Sequence, residues 1–182
     1  MNEGVEAILT YLLTDNIVLT SFLGVTLLIT GTEGARASLR SALIYGSSVL
    51  VASLVGAVVA YTLPAQEVLA PLVFLVVSLA AIIFVRSTGR LQEERFGLPA
   101  PLFALPLFFG AQYVLYDAHY DFAMTVAAAL GIGLGVYGVY VLGCSMHEQS
   151  RLSETSSPVK GLPALVLALG ILGFAVMGFQ LL

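Results

Sequence analysis

Six apolar stretches separated by short polar loops make up most of this sequence. Segment one covers about Ile8–Ile29, segment two Ala42–Leu63 and segment three Leu69–Val85. Segment four covers about Leu98–Tyr116, segment five Phe122–Leu142 and segment six Leu162–Leu182. At about 1.5 Å rise per residue, each can cross a hydrocarbon core of about 30 Å, the third only just. Backbone amides find no water in lipid, so an open chain must cross as helices. The expected fold is all-α: a polytopic membrane protein with six transmembrane helices, forming one membrane domain over residues 1–182.

Composition closes the soluble alternative. The chain is 59% hydrophobic and 10% charged, with a mean hydropathy of +0.99. An ordinary soluble domain carries about 25% charged residues. The lipid bilayer is therefore the first expected partner, and no nucleic-acid partner is expected. Met1–Glu6 carries no basic residue, so the first apolar segment does not read as a secretory leader.

The charges sort by loop. Arg36 and Arg40 lie between segments one and two, Arg86, Arg90 and Arg95 between three and four, and Arg151 and Lys160 between five and six. The loops at Pro64–Glu67 and Asp117–Asp121 hold no Lys or Arg, nor do the termini. All 7 basic residues thus fall on one side. The positive-inside rule makes that side cytoplasmic and sets both termini outside, in a multi-pass protein of the cell's inner (plasma) membrane.

Three segments per half imply inversion of the second half relative to the first, with repeats at about 1–90 and 91–182. Superposing Gly24 on Gly110 aligns Phe22-Leu23-Gly24-Val25-Thr26 with Phe108-Phe109-Gly110-Ala111-Gln112 without a gap. Each stretch ends in a polar residue that an apolar span should avoid. Paired, interrupted segments in inverted halves are the sequence pointer to a midplane site. Segment four holds Pro99, Pro101 and Pro106, which remove donors and clash with the preceding turn. In segment one a break would have to come from Asp15-Asn16 or from the Thr20–Gly24 stretch. Helices one and four are thus candidates for breakage. Straight helices would put Thr26 roughly 11 Å inward and Gln112 roughly 7 Å outward of the midplane. Only broken, re-entrant geometry brings the two together, and two continuous helices would exclude a shared site.

Other motifs have plainer readings beside the functional ones. Gly133-x-Gly135-x-x-Gly138 matches a dinucleotide fingerprint, but no strand precedes it and it lies in an apolar span. Close helix packing through Gly131 and Gly135 fits better, and Gly46, Ser47, Ser53 and Gly56 read the same way. Asp117, His119 and Asp121 form either a cation cluster or a solvated turn flanked by the interfacial tyrosines Tyr116 and Tyr120. Arg90–Arg95 reads as a solvated loop or an amphipathic connector. Asp15 is either an intramembrane carboxylate or, with Asn16, a helix cap at the outer interface. Cys144, the single cysteine, reads as a packing residue at the end of segment five. His119 and His147 fall in different loops. Asp15, Asn16, Thr26 and Gln112 form a candidate polar path.

The stretch Asp15–Gly24, the run Leu105-Pro106-Leu107 leading to Gln112, and the ending from Lys160-Gly161-Leu162 through Gly170 and Gly173 to Met177-Gly178-Phe179 resemble the Rnf/Nqr integral-membrane subunit family, in its RnfA/NqrE branch. The resemblance implies a subunit of an ion-translocating electron-transport complex, coupled to Na⁺ or H⁺ movement. It also implies a homologous partner of opposite topology and flavin and iron–sulfur carriers in the assembly. In the family, cysteines on helices one and four hold an iron–sulfur centre in the membrane. Those positions fall here on Thr26 and Gln112, and neither supplies a thiolate. The expectation is a cluster-less, non-catalytic subunit of a redox-driven translocase. No catalytic, cofactor-binding or metal-ligating residue of its own is expected, and the iron–sulfur and flavin groups are expected in partner subunits. A stand-alone inverted-repeat transporter or channel is the alternative, and a purely structural membrane partner the third reading.

Overall fold

The computed structural model describes residues 3–25, 35–63, 66–88, 94–95, 98–152 and 162–180. It is a helical membrane protein. Segment one opens with α1 (Glu3–Leu9), which passes into a π-turn over Thr10–Thr14, and resumes as the single turn α2 (Ile17–Thr20). Segments two and three are the long helices α3 (Ala35–Thr62) and α4 (Gln66–Thr88). Segment four begins as a 3₁₀ turn over Ala100–Ala104 and continues as α5 (Leu105–Asp117). Segments five and six are α6 (Phe122–Leu152) and α7 (Leu162–Gln180). Strand β1 (Glu94–Arg95), in the stretch read from sequence as a solvated loop or connector, pairs antiparallel with β2 (Leu98–Pro99), which takes the first two residues of the apolar stretch read as segment four.

Among the described residues, three helical stretches are long and apolar enough to cross a membrane: Leu39–Thr62, Val68–Thr88 and Phe122–Met146. Pro163–Gly178 is a shorter apolar helix. Segments one and four are interrupted, as their sequences allowed. Several boundaries differ from expectation. Helix α3 begins at Ala35, so Arg36 and Arg40 sit on its first turns rather than in a loop. Helix α6 runs on to Leu152, which moves Cys144, His147 and Arg151 inside it. His147 is therefore a helical residue, while His119 stays in a turn. Apolarity marks where lipid ends, whereas hydrogen bonding lets a helix continue into the interface; the two ends need not coincide.

The long helices α3 and α6 form the centre. Ala42, Tyr45, Val49 and Ala52 of α3 and Ala128, Ala129, Ile132 and Val136 of α6 are buried. The two helices approach closely at a glycine pair. A Cβ on Gly46 would lie 2.9 Å from the Gly133 carbonyl oxygen, and one on Gly133 would lie 3.0 Å from the Gly46 carbonyl oxygen. Only glycine permits that spacing, so the expected packing role of this region is met. Helix α4 is peripheral: 28% of its membrane window is buried, against 56% for α6. Its Leu72, Val76, Ile83 and Phe84 face outward, as lipid-facing residues do. Two hydroxyls of α3 bond back to their own helix: Ser47 donates to the Leu43 carbonyl at 2.7 Å and Ser53 to the Leu50 carbonyl at 2.9 Å. That is how polar residues survive in an apolar span.

The ends of the bundle are tied by tyrosines. Tyr61 at the end of α3 donates to the Tyr116 carbonyl at 2.9 Å, and Tyr11 donates to the Tyr120 hydroxyl at 3.4 Å. The C-terminal end of α3, the α5–α6 turn and the π-turn of segment one therefore share one end. Arg36, Arg86 and Arg151 lie toward the opposite ends of their helices.

Candidate functional site

Segment one breaks twice. The first break is at Asp15-Asn16. The Asp15 amide donates to the Thr10 carbonyl at 2.7 Å, closing the π-turn, and the Thr14 hydroxyl donates to the same oxygen at 3.1 Å. Asn16 then serves both broken ends. Its Nδ2 donates to the Leu12 carbonyl at 2.9 Å, and its Oδ1 accepts from the Val18 amide at 3.1 Å. Helix termini leave carbonyls and amides unpaired, and in lipid no water can pair them. One carboxamide supplies the acceptor and the donor at once. Asn16 is 2% exposed, whereas Asp15 beside it is exposed. The cap reading of this pair therefore holds for Asn16, with the cap buried in the bundle. The close seat for Asn16 is Gly135 of α6, where a Cβ would lie 2.7 Å from Nδ2.

The second break follows α2. Phe22 and Gly24 have φ of 53° and 90°. Gly24 can adopt that region freely, whereas Phe22 carries a left-handed penalty of about 1–2 kcal/mol. The Val25 amide reaches the Phe22 carbonyl at 3.4 Å across the turn. Ser21 and Phe22 are exposed and Gly24 is buried. Thr26 lies outside the described residues.

Segment four meets this turn. Helix α5 has 13 residues, roughly 20 Å, too short alone for a core of about 30 Å. Its first turn carries Pro106, where a missing amide costs nothing. A Cβ on Gly24 would lie 3.1 Å from Leu107, and one on Gly110 would collide with the Leu23 side chain. The two stretches that superpose in sequence thus pack together, each offering a glycine to a leucine of the other segment. Straight helices could not have done this.

Gln112 points elsewhere. At about 100° per residue it lies about 200° around α5 from Gly110, on the far face. It is fully buried. Its Nε2 contacts the Ser78 hydroxyl at 2.9 Å, the Phe108 carbonyl at 2.9 Å and the Phe74 carbonyl at 3.3 Å. Among the described residues its Oε1 has no hydrogen-bond partner, and it rests against Gly56, where any Cβ would collide with it. A flipped amide would set Oε1 against two carbonyl oxygens, so this orientation is the one the surroundings accept. Gln112 and Asn16 have different neighbours: α3 and α4 for the first, α6 for the second. Ser78 is a partner that sequence reasoning missed. A hydroxyl in the most apolar span was its only signal.

The remaining candidates resolve into structure. Asp121 accepts from the Met124 amide at 3.1 Å and so caps α6, while the His119 ring pairs with the Tyr116 carbonyl at 2.9 Å. Among the described residues, no group of three or more His, Cys, Asp or Glu is placed to hold a metal ion. Cys144 is buried on α6. The donor set around the aligned stretches is carboxamide, hydroxyl and carbonyl, which does not suit an iron–sulfur cluster that takes thiolates.

No protein-family model matches the sequence. Over 64 residues the chain is 33% identical to a component of the proton-translocating ferredoxin:NAD(+) oxidoreductase complex of Clostridium ljungdahlii. The match covers 35% of this chain and 33% of that protein, so the chain spans about one third of the length of the relative it matches.

Proposed function

We propose that this chain is a membrane subunit of an Rnf/Nqr-type, ion-translocating electron-transport complex, built without iron–sulfur ligands of its own. The observation that carries the reading is the 33% identity to a component of a proton-translocating ferredoxin:NAD(+) oxidoreductase complex. The meeting of the interrupted segments one and four supports it. So does the pairing of contacts. Segment one packs on α6 and α7, and segment four packs on α3 and α4, as two inverted three-helix repeats would require.

On this reading the basic helix ends face the cytoplasm and both termini lie outside, in the plasma membrane. The chain acts beside a homologous subunit of opposite topology, and flavin and iron–sulfur groups reside in partners. Its own described residues do not fit a cluster, so its contribution is to shape and seal the membrane part of the complex. The turn at Ser21–Gly24 supports a partner there, because irregular backbone at membrane depth must be covered by protein or line a wet cavity.

Purification in mild detergent tests this. Flavin- and iron–sulfur-bearing polypeptides are expected to co-purify, with no iron in the isolated chain. A chain that purifies alone and conducts ions in liposomes would overturn the reading in favour of a stand-alone transporter. Stoichiometric iron on the isolated chain would refute the cluster-less part.

A further inference from the structure

We infer that Asn16–Gly135 and Gln112–Gly56 share one steric device: in each, a buried carboxamide seated on a glycine sets the register of an interrupted segment against the long helix it crosses. Asn16 bonds within its own segment and fits against Gly135 of α6, whereas Gln112 rests its Oε1 on Gly56 of α3 while bonding Ser78 and Phe74 of α4. Both carboxamides are buried, and both contact a position where a Cβ would intrude. The two carboxamides do not occupy superposing positions. The register that sets Gly24 on Gly110 sets Gln112 on Thr26 and Asn16 on Leu102. The same device therefore recurs at different places in the two halves.

The physical reason is that an interrupted helix in a bilayer cannot rely on apolar burial to fix its position, because lipid is as apolar as the neighbouring helix. A polar group with one satisfactory location does fix it. An interhelical hydrogen bond in a membrane adds little stability, and a buried oxygen without a donor costs more than one such bond returns. Gln112 therefore sets register rather than adding stability. Gly56 is what makes the Gln112 position accessible, so the two residues must be energetically coupled. The inference stands on this geometry and is independent of the redox reading.

The test is a double-mutant cycle on the full chain in mild detergent, read by thermal unfolding of wild type, Gly56→Ala, Gln112→Ala and the double variant. Gly56→Ala is expected to lower the midpoint by several degrees. The double variant is expected to unfold no lower than Gln112→Ala alone, because truncation at Cβ removes the Cγ, Cδ and Oε1 atoms that a Cβ at Gly56 would meet. Additive losses, or no loss in Gly56→Ala, would overturn the inference. Should Gly56→Ala fail to fold, recovery of folded protein in the double variant supports the coupling. Failure of the double variant while Gln112→Ala folds overturns it. The parallel cycle of Asn16→Ser with Gly135→Ala is expected to recover in part only, since the Tyr11 carbonyl also lies 3.1 Å from a Cβ at Gly135. Full additivity there would overturn the device at Asn16.

Discussion

Asn16 and Gln112 pose the same problem, a carboxamide inside an apolar bundle, and the surroundings solve it differently. Asn16 lies at a helix break, where the backbone itself has unpaired groups, and its two polar atoms satisfy one on each side. Gln112 lies within a continuous helix whose backbone is already paired. Its amide nitrogen has three acceptors in reach and its oxygen has no donor among the described residues. The first residue is required by the fold around it, whereas the second is accommodated by it. The difference teaches that burial of a polar side chain does not by itself measure its structural importance. What counts is whether its removal strands a backbone group.

The contrast sets an order of effects. Asn16→Leu is expected to be the most damaging substitution, at roughly 3–5 kcal/mol, because it strands the Leu12 carbonyl and the Val18 amide and presses a branched side chain on Gly135. Chemical unfolding in mixed micelles reads it, and amide exchange at Val18 should quicken. A loss below about 1 kcal/mol would erase the distinction between the two sites.

Gly24→Ala comes next, at about 1–2 kcal/mol, since the residue holds φ of 90° with Leu107 only 3.1 Å from a Cβ. The same unfolding assay, with a cysteine probe on the turn, should show the turn loosening from α5. Gln112→Leu follows, within about 1 kcal/mol of wild type, because the lost hydrogen bonds are offset by removal of the stranded oxygen. A loss as large as that of Asn16→Leu would make the two sites equivalent after all. Gly138→Ala is the control on α6. Nothing lies within 4 Å of a Cβ there, so its effect should stay within about 0.5 kcal/mol.

Much of the architecture was legible along the chain, for identifiable reasons. Segments two, three and five announced themselves through unbroken apolarity, and their helices appear where expected, with ends extended. Arg36, Arg40 and Arg151 read as loop residues but lie within the ends of α3 and α6, because a helix goes on pairing its own backbone beyond the apolar stretch. Gly46, Gly131 and Gly135 read correctly as packing positions, since no other residue lets backbones approach so closely, whereas Ser47, read the same way, is exposed and bonds its own helix. The Asp117–Asp121 turn offered a cation cluster and a solvated turn; the cap of α6 by Asp121 and the His119–Tyr116 contact give the turn. The glycine beneath Gln112 was visible as a glycine, but not as its seat.

Sequence alone determined that this chain lives in a bilayer, how many apolar segments it has and which of its ends are basic. Those properties are sums over residues and need no knowledge of neighbours. It also marked segments one and four as breakable, because proline and paired polar residues act on their own backbone. Tertiary structure decided what the breaks do. It brought Leu23 to Gly110 and Leu107 to Gly24, and turned Gln112 to the opposite face of α5. It also gave Asn16 a carbonyl on one side and an amide on the other. Direction around a helix and distance between helices depend on residues far apart in the chain, and a list of polar interruptions carries neither.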